Sequence, residues 1–284
     1  MSFLQIAKIH YNHSHDTMYS NELVVVILSS IAIILHSFGL FALTKSRRRS
    51  VGNPYTSSQH LYLFNLSFSE VLYSLTGLLR VLGVLLKQDE LSRIMFICNT
   101  CVFAQLTLML TAITFDRFLS VYYGLKYVLV WTVTRSKTVL MVIYLIVIMM
   151  TTICIIYLKS TQQAFSIFSF YVWLPLDILF IVVAIFTYGY LLRKLLQMNA
   201  KPDRRQRGIK KSIIVVLGLV FSFAVFVIIP DIVTLVKSLR NEEYSMALVF
   251  YLSVSYRLGT ISDAFIYIIF SPDVQSVAKN TFCC

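Results

Sequence analysis

Charge is scarce in this chain. Of its 284 residues only 13% are charged, against roughly 25% in soluble domains, while 58% are hydrophobic and mean hydropathy is +0.77. Such a composition excludes a soluble globular domain and marks an integral membrane protein. Acid is scarcer than base, with 13 Asp and Glu against 25 Lys and Arg, a net charge of +12. The basic residues occupy short stretches between apolar runs instead of one soluble face, so topology accounts for them and nucleic acid is not an expected partner. The alternating pattern of an outer-membrane barrel strand is missing, and no internal repeat of the kind found in inverted-repeat transporters is visible. Cysteine is limited to five residues. Cys98, Cys101 and Cys154 lie inside apolar runs and read as small buried hydrophobes. No nucleophile-base-orienter set, His/Cys metal spacing or phosphate loop is present, so no enzymatic activity is expected; His10, His13 and His15 cluster in a polar stretch without the form of a dedicated metal site.

What the chain has in abundance is long apolar runs. Seven of about 20 residues or more, the length that crosses a hydrocarbon core, fall near 23–43, 61–86, 94–122, 138–158, 165–192, 212–236 and 245–270. Each should be a helix, because backbone groups left unpaired in lipid are too costly. The expected fold is therefore all-α: an outer tail over 1–22, a seven-transmembrane helix bundle over 23–270 and a cytoplasmic amphipathic tail over 271–284, ending in a short helix along the inner face. Residues 1–21 do not have the form of a cleavable signal, so the first run is expected to act as the insertion signal. With the amino terminus outside, 17 basic residues lie on the cytoplasmic side and six on the outer side, an excess that sets the orientation and predicts a multi-pass plasma-membrane protein. Asn12-His13-Ser14 is then a glycosylation sequon in the outer tail, and Cys283 and Cys284 are candidates for palmitoylation. The third inner loop, QMNAKPDRRQRGIKK, should break the helix at Pro202 and Gly208; its basic ends suit anionic lipid headgroups or an acidic partner surface.

The stretch TAITFDRFLSVYYGLK, Thr111 to Lys126, closes the third run with Asp116 and Arg117. With Phe118 the pair resembles the Asp-Arg-Tyr signature of rhodopsin-like (class A) G-protein-coupled receptors, phenylalanine replacing tyrosine. Asn65-Leu66-Ser67-Phe68-Ser69-Glu70 is similar to that family's Asn-Leu-Ala-x-x-Asp, and Asp263-Ala264-Phe265-Ile266-Tyr267 to its Asn-Pro-x-x-Tyr. Phe221 to Pro230 resembles the sixth-helix toggle region with Ile228 in place of tryptophan, and Pro175 the fifth-helix proline. The resemblance implies a receptor that passes the binding of an extracellular ligand to a heterotrimeric G protein. Asp116 and Arg117 would be its inner switch, Lys210 and Lys211 would ride on the moving sixth helix, and Tyr267 and Glu70 would relay. There are departures. His36 stands where asparagine is usual, the fourth helix lacks its tryptophan, and the disulfide at the outer end of the third helix is lost, Ser92 lying near the expected position. Retinal is disfavoured as a cofactor, because Arg257 stands near the opsin lysine and arginine cannot lose its proton to form a Schiff base.

Ionisable residues inside membrane runs are functional candidates in their own right. Glu70 and Asp263 should lie at similar depth, where they either share a sodium ion or join a hydrogen-bonded network through His36 or Ser67. Arg80, Asp177, Asp231 and Arg257 lie nearer the outer ends of their runs. Charges buried there should pair, and a salt bridge between Asp231 and Arg257 is expected. Either these four only hold helices together, or Arg80 and Arg257 face a cavity and receive an anionic ligand. A small-solute transporter or channel, or a non-signalling seven-helix decoy or scaffold, is the alternative to a signalling receptor.

Overall fold

The computed structural model describes residues 15–49, 54–158, 162–197, 204–240 and 246–270. Asn12, Cys283, Cys284 and the expected amphipathic helix over 271–284 lie outside the described residues. For Asp177, Lys210, Lys211 and Tyr267 the helical backbone is described but the side chain is not.

Everything regular among the described residues is helical. The elements are α1 (His15–Arg49), α2 (Pro54–Leu85), α3 (Asp89–Tyr123), a 3₁₀ turn (Gly124–Lys126), α4 (Tyr127–Val130), α5 (Val133–Leu158), α6 (Gln162–Gln197), α7 (Arg204–Phe223), a π-helical segment (Ala224–Ile228), α8 (Ile229–Leu239) and α9 (Met246–Phe270). Because α7, the π segment and α8 run on without a break, they form one rod, and the described chain has seven long rods. Five are long and apolar enough to cross a membrane: Glu22–Lys45, His60–Leu85, Glu90–Tyr123, Val133–Ile156 and Ile213–Thr234. In α6 and α9 some side chains fall outside the described set. All the rods but α9 are longer than the apolar runs that predict them. Backbone hydrogen bonding continues past the last apolar side chain, so α7 begins at Arg204 and takes Gly208 into its first turns, where the sequence predicts a break.

α3 is the central rod. It packs on α2, α5, α6 and α7, while α1 is held between α2 and α9 and α9 also packs on α7. The core is a continuous apolar cluster along these contacts, with Leu66 and Tyr73 from α2, Met109 and Leu110 from α3, Phe180 from α6 and Leu219 and Phe223 from α7. Exposed Ile34, Ile148, Ile185 and Phe186 mark the opposite, lipid-suited faces. Polar struts tie the rods together. Gln105 donates to Ser69 at 2.7 Å, and Tyr144 donates to Asn65 at 2.9 Å. Helices without a hydrophobic drive to associate in lipid use such bonds and close packing instead. Backbone meets backbone where α2 reaches the start of α3: a Cβ on Gly83 would lie 2.9 Å from the backbone nitrogen of Ser92.

Candidate functional site

At one end of the bundle, α3 closes with Asp116 and Arg117, which are 1% and 5% exposed. Charges so buried need partners. The Arg117 guanidinium donates to Asp116 through both Nε and a terminal nitrogen. Asp116 accepts a second charge-assisted bond from the Tyr127 hydroxyl at 2.5 Å. Tyr127 is itself 1% exposed and comes from α4, the single helical turn after α3. Burial, and then the Asp116 carboxylate beside it, push the Tyr127 phenol above its ordinary range, so it remains a donor. Phe118, next to the pair, stacks edge-on against Tyr190 of α6 with centroids 5.2 Å apart. The arrangement makes one closed unit from α3, α4 and the end of α6. Sequence reading locates the pair but misses Tyr127, which in a basic, aromatic loop gives no sign of being buried.

Midway along the bundle, Glu70 and Asp263 are buried, at 3% and 5% exposure, and both line a cavity of about 20 Å³ together with Tyr73, Ser222 and Thr260. That volume suits a water or a small cation. Glu70 Oε2, Asp263 Oδ1, Ser67 Oγ and Ser222 Oγ are all buried without a hydrogen bond. His36 of α1 lies nearby through its ring Nε2, 2.8 Å from the Thr260 carbonyl. The two carboxylates meet as their depths predict, and His36 binds the helix backbone beside them.

Towards the far end the pairing differs from that expected. Asp231 and Arg257 do not form the predicted salt bridge. Instead Tyr256 donates its hydroxyl to Asp231 Oδ1 at 2.5 Å, and Arg257 turns towards α2. There its guanidinium lies over the Tyr73 ring at 4.2 Å and donates to the Tyr73 carbonyl at 3.2 Å. Asn99 of α3 shares that carbonyl at 2.7 Å. The slot exists because residue 77 is glycine: a Cβ there would lie 1.9 Å from an Arg257 nitrogen. Similar depth on neighbouring helices is not enough to pair two charges when consecutive residues, Tyr256 and Arg257, leave the helix about 100° apart. Arg80 is partly exposed and makes no ion pair among the described residues.

The sequence from residue 40 to 265 matches the family model described as 7 transmembrane receptor (rhodopsin family). The chain belongs to the rhodopsin-family seven-transmembrane receptors. No curated protein matches it. Within this rhodopsin-family chain the sixth-rod region has a local solution of its own. Pro230 has no N–H to give to the Phe226 carbonyl one turn back. Ser255 of α9 supplies the donor instead, at 3.0 Å, and Gly259 lets Phe226 approach, its Cβ position lying 3.0 Å from Phe226 Cβ. The π segment at Ala224–Ile228 ends one residue short of the proline, within the turn where such departures from α geometry are usual. Tyr188 of α6 donates to the Leu217 carbonyl of α7 at 2.6 Å, joining the next pair of rods in this receptor.

Proposed function

We propose that this rhodopsin-family protein is a multi-pass plasma-membrane receptor with its amino terminus outside, which transmits the binding of an extracellular ligand to a heterotrimeric G protein. The observation that carries the proposal is the buried Asp116–Arg117–Tyr127 unit. A buried arginine held by one carboxylate is a two-state element: kept, it closes that end of the bundle, and released, it becomes available to a partner. In the orientation given by the basic loops this end is cytoplasmic, and α7, starting with Arg204 and carrying Lys210 and Lys211, is the rod whose outward swing would open a groove. Tyr188 and Ser255 hold that rod to α6 and α9 and would have to yield or pivot. Tyr267, on α9 below Asp263, is the proposed relay between the mid-bundle acids and the switch.

The unpaired oxygens of Glu70, Asp263 and Ser222 line one cavity and fit a hard cation, and sodium is proposed there. It would hold α2 to α9 and favour the closed state; replacing sodium by N-methylglucamine should raise basal activity, and no change would remove the ion from the account. The ligand is proposed to enter from the outer end among Arg80, Asp177 and Asp231. Arg257, buried over Tyr73, supports the helices, so an anionic group on the ligand would meet Arg80. Glycosylation at Asn12 and palmitoylation at Cys283 and Cys284 complete the proposal. The test is basal activation of a panel of G-protein sensors at matched surface level, with Arg117→Ala beside the native chain. A signal lost in the variant supports coupling, while equal signals favour a non-signalling scaffold.

A further inference from the structure

Asp231 is an acid near the far end of the bundle that the helices aim inward and that makes no ion pair among the described residues. On α8, Pro230, Asp231 and Thr234 share one face, and the exposed Ile229, Ile232, Val233 and Val236 share the opposite one. Asp231 therefore faces the bundle and not lipid. Its expected partner, Arg257, is committed to Tyr73 and the Gly77 slot. The Tyr256 hydroxyl occupies one carboxylate oxygen at 2.5 Å, and Asp231 makes no ion pair among the described residues. Around it the surface is aromatic: Tyr256 packs on Phe103 with centroids 5.4 Å apart, and Phe103 on Tyr73 at 5.7 Å. A hydroxyl donor satisfies part of a carboxylate but leaves its charge, and ring faces beside that charge attract a cation and repel an anion. Asp231 is partly exposed, so a small group can reach it.

We propose that Asp231, backed by Tyr256 and Phe103, receives a protonated amine of the ligand. The ligand class is thus one with an ammonium group attached to an apolar or aromatic body. This rests on the receptor reading for its biological sense, but the site itself can be tested separately. Inward-facing Arg80, on the same face of α2 as Tyr73, leaves room for a second, anionic group on the same molecule.

The experiment uses the full chain, purified in detergent, with phenethylamine, tyramine and tryptamine as probes, each beside its uncharged N-acetyl derivative. The expected result is a rise in melting temperature of roughly 5 °C near saturation for at least one amine, absent for its N-acetyl form. The rise should be lost in Asp231→Asn and kept in Asp231→Glu. Tyr256→Phe, which leaves the carboxylate in place, should keep amine binding within about tenfold even if Asp231→Asn folds poorly. No shift with any amine, equal shifts with the acetylated forms, or an undiminished shift in Asp231→Asn would overturn the proposal. The two readings fail separately. Amine stabilisation without G-protein coupling keeps the site and sinks the receptor function, and coupling without amine stabilisation does the reverse.

Discussion

Tyr127 holds more of the proposed switch than its place in a basic, aromatic stretch of sequence would indicate. Its hydroxyl donates to Asp116 beside the Arg117 guanidinium, and a hydrogen bond to a charged group contributes about 1.5 kcal/mol or more, equivalent to roughly a tenfold shift between two states. Tyr127→Phe should therefore raise basal G-protein activation several-fold at matched surface level, measured with the same sensors as the native chain. The pH behaviour follows from the phenol being pushed upward by burial and by Asp116. A raised tyrosine keeps its proton below about pH 10, its ordinary value, and its contribution is lost only as pH climbs beyond that. This contact should thus be constant between about pH 6 and 9, and a basal activity that Tyr127→Phe made newly pH-independent would contradict it. Gly77 is the second residue whose role is fixed by one atom. A methyl there would displace the Arg257 guanidinium from the Tyr73 ring and carbonyl, and leaving a buried cation without its partners costs about 3 kcal/mol. Gly77→Ala should lower thermal stability, whereas Gly189→Ala, which meets nothing within 4 Å, should not. Asp116 and Arg117 are legible in the sequence because a charged pair at the end of an apolar run is unusual. Tyr127, Gly77 and Asn99 are not, since their importance lies in which distant residue each one meets.

Among the elements, the apolar runs predict all seven rods, and they underpredict most of the ends because polar helical turns carry no hydropathy signal. The region around Pro230 shows what else pattern reading omits. Proline announces a lost backbone bond, but not that Ser255 on another rod repairs it. Ser255→Ala would leave the Phe226 carbonyl short of a donor at a cost of about 1 kcal/mol. The expected outcome is a lower melting temperature and a higher basal activity, because the same bond ties α9 to the rod proposed to move. A fall in stability with unchanged basal activity would assign Ser255 to packing alone. At the start of α3, Gly83 and the Ser92 backbone bring two helices into contact where the family has a disulfide on the third helix. Gly83→Ala meets backbone that cannot rotate away, so a marked loss of surface expression is expected there.

At the scale of the whole molecule, the described residues place three layers of polar groups along one bundle: the partly exposed Asp231 with Tyr256 and the buried Arg257 slot, then the Glu70–Asp263 cavity, then the Asp116 unit. Composition reveals the membrane, and the intramembrane charges reveal the layers. The partners within each layer depend on side-chain direction, which is why Asp231 pairs with Tyr256 and not with Arg257. The receptor account requires the first and third layers to be coupled through rods that change position together. Its central claim is that Asp116 restrains Arg117, and that Arg117, once free, engages a G protein. The most direct measurement is basal G-protein activation by the native chain, Asp116→Asn and Arg117→Ala at equal surface density across the sensor panel. The account predicts a signal above native for Asp116→Asn and a background signal for Arg117→Ala. Three indistinguishable signals, or a higher signal for Arg117→Ala than for Asp116→Asn, would contradict it.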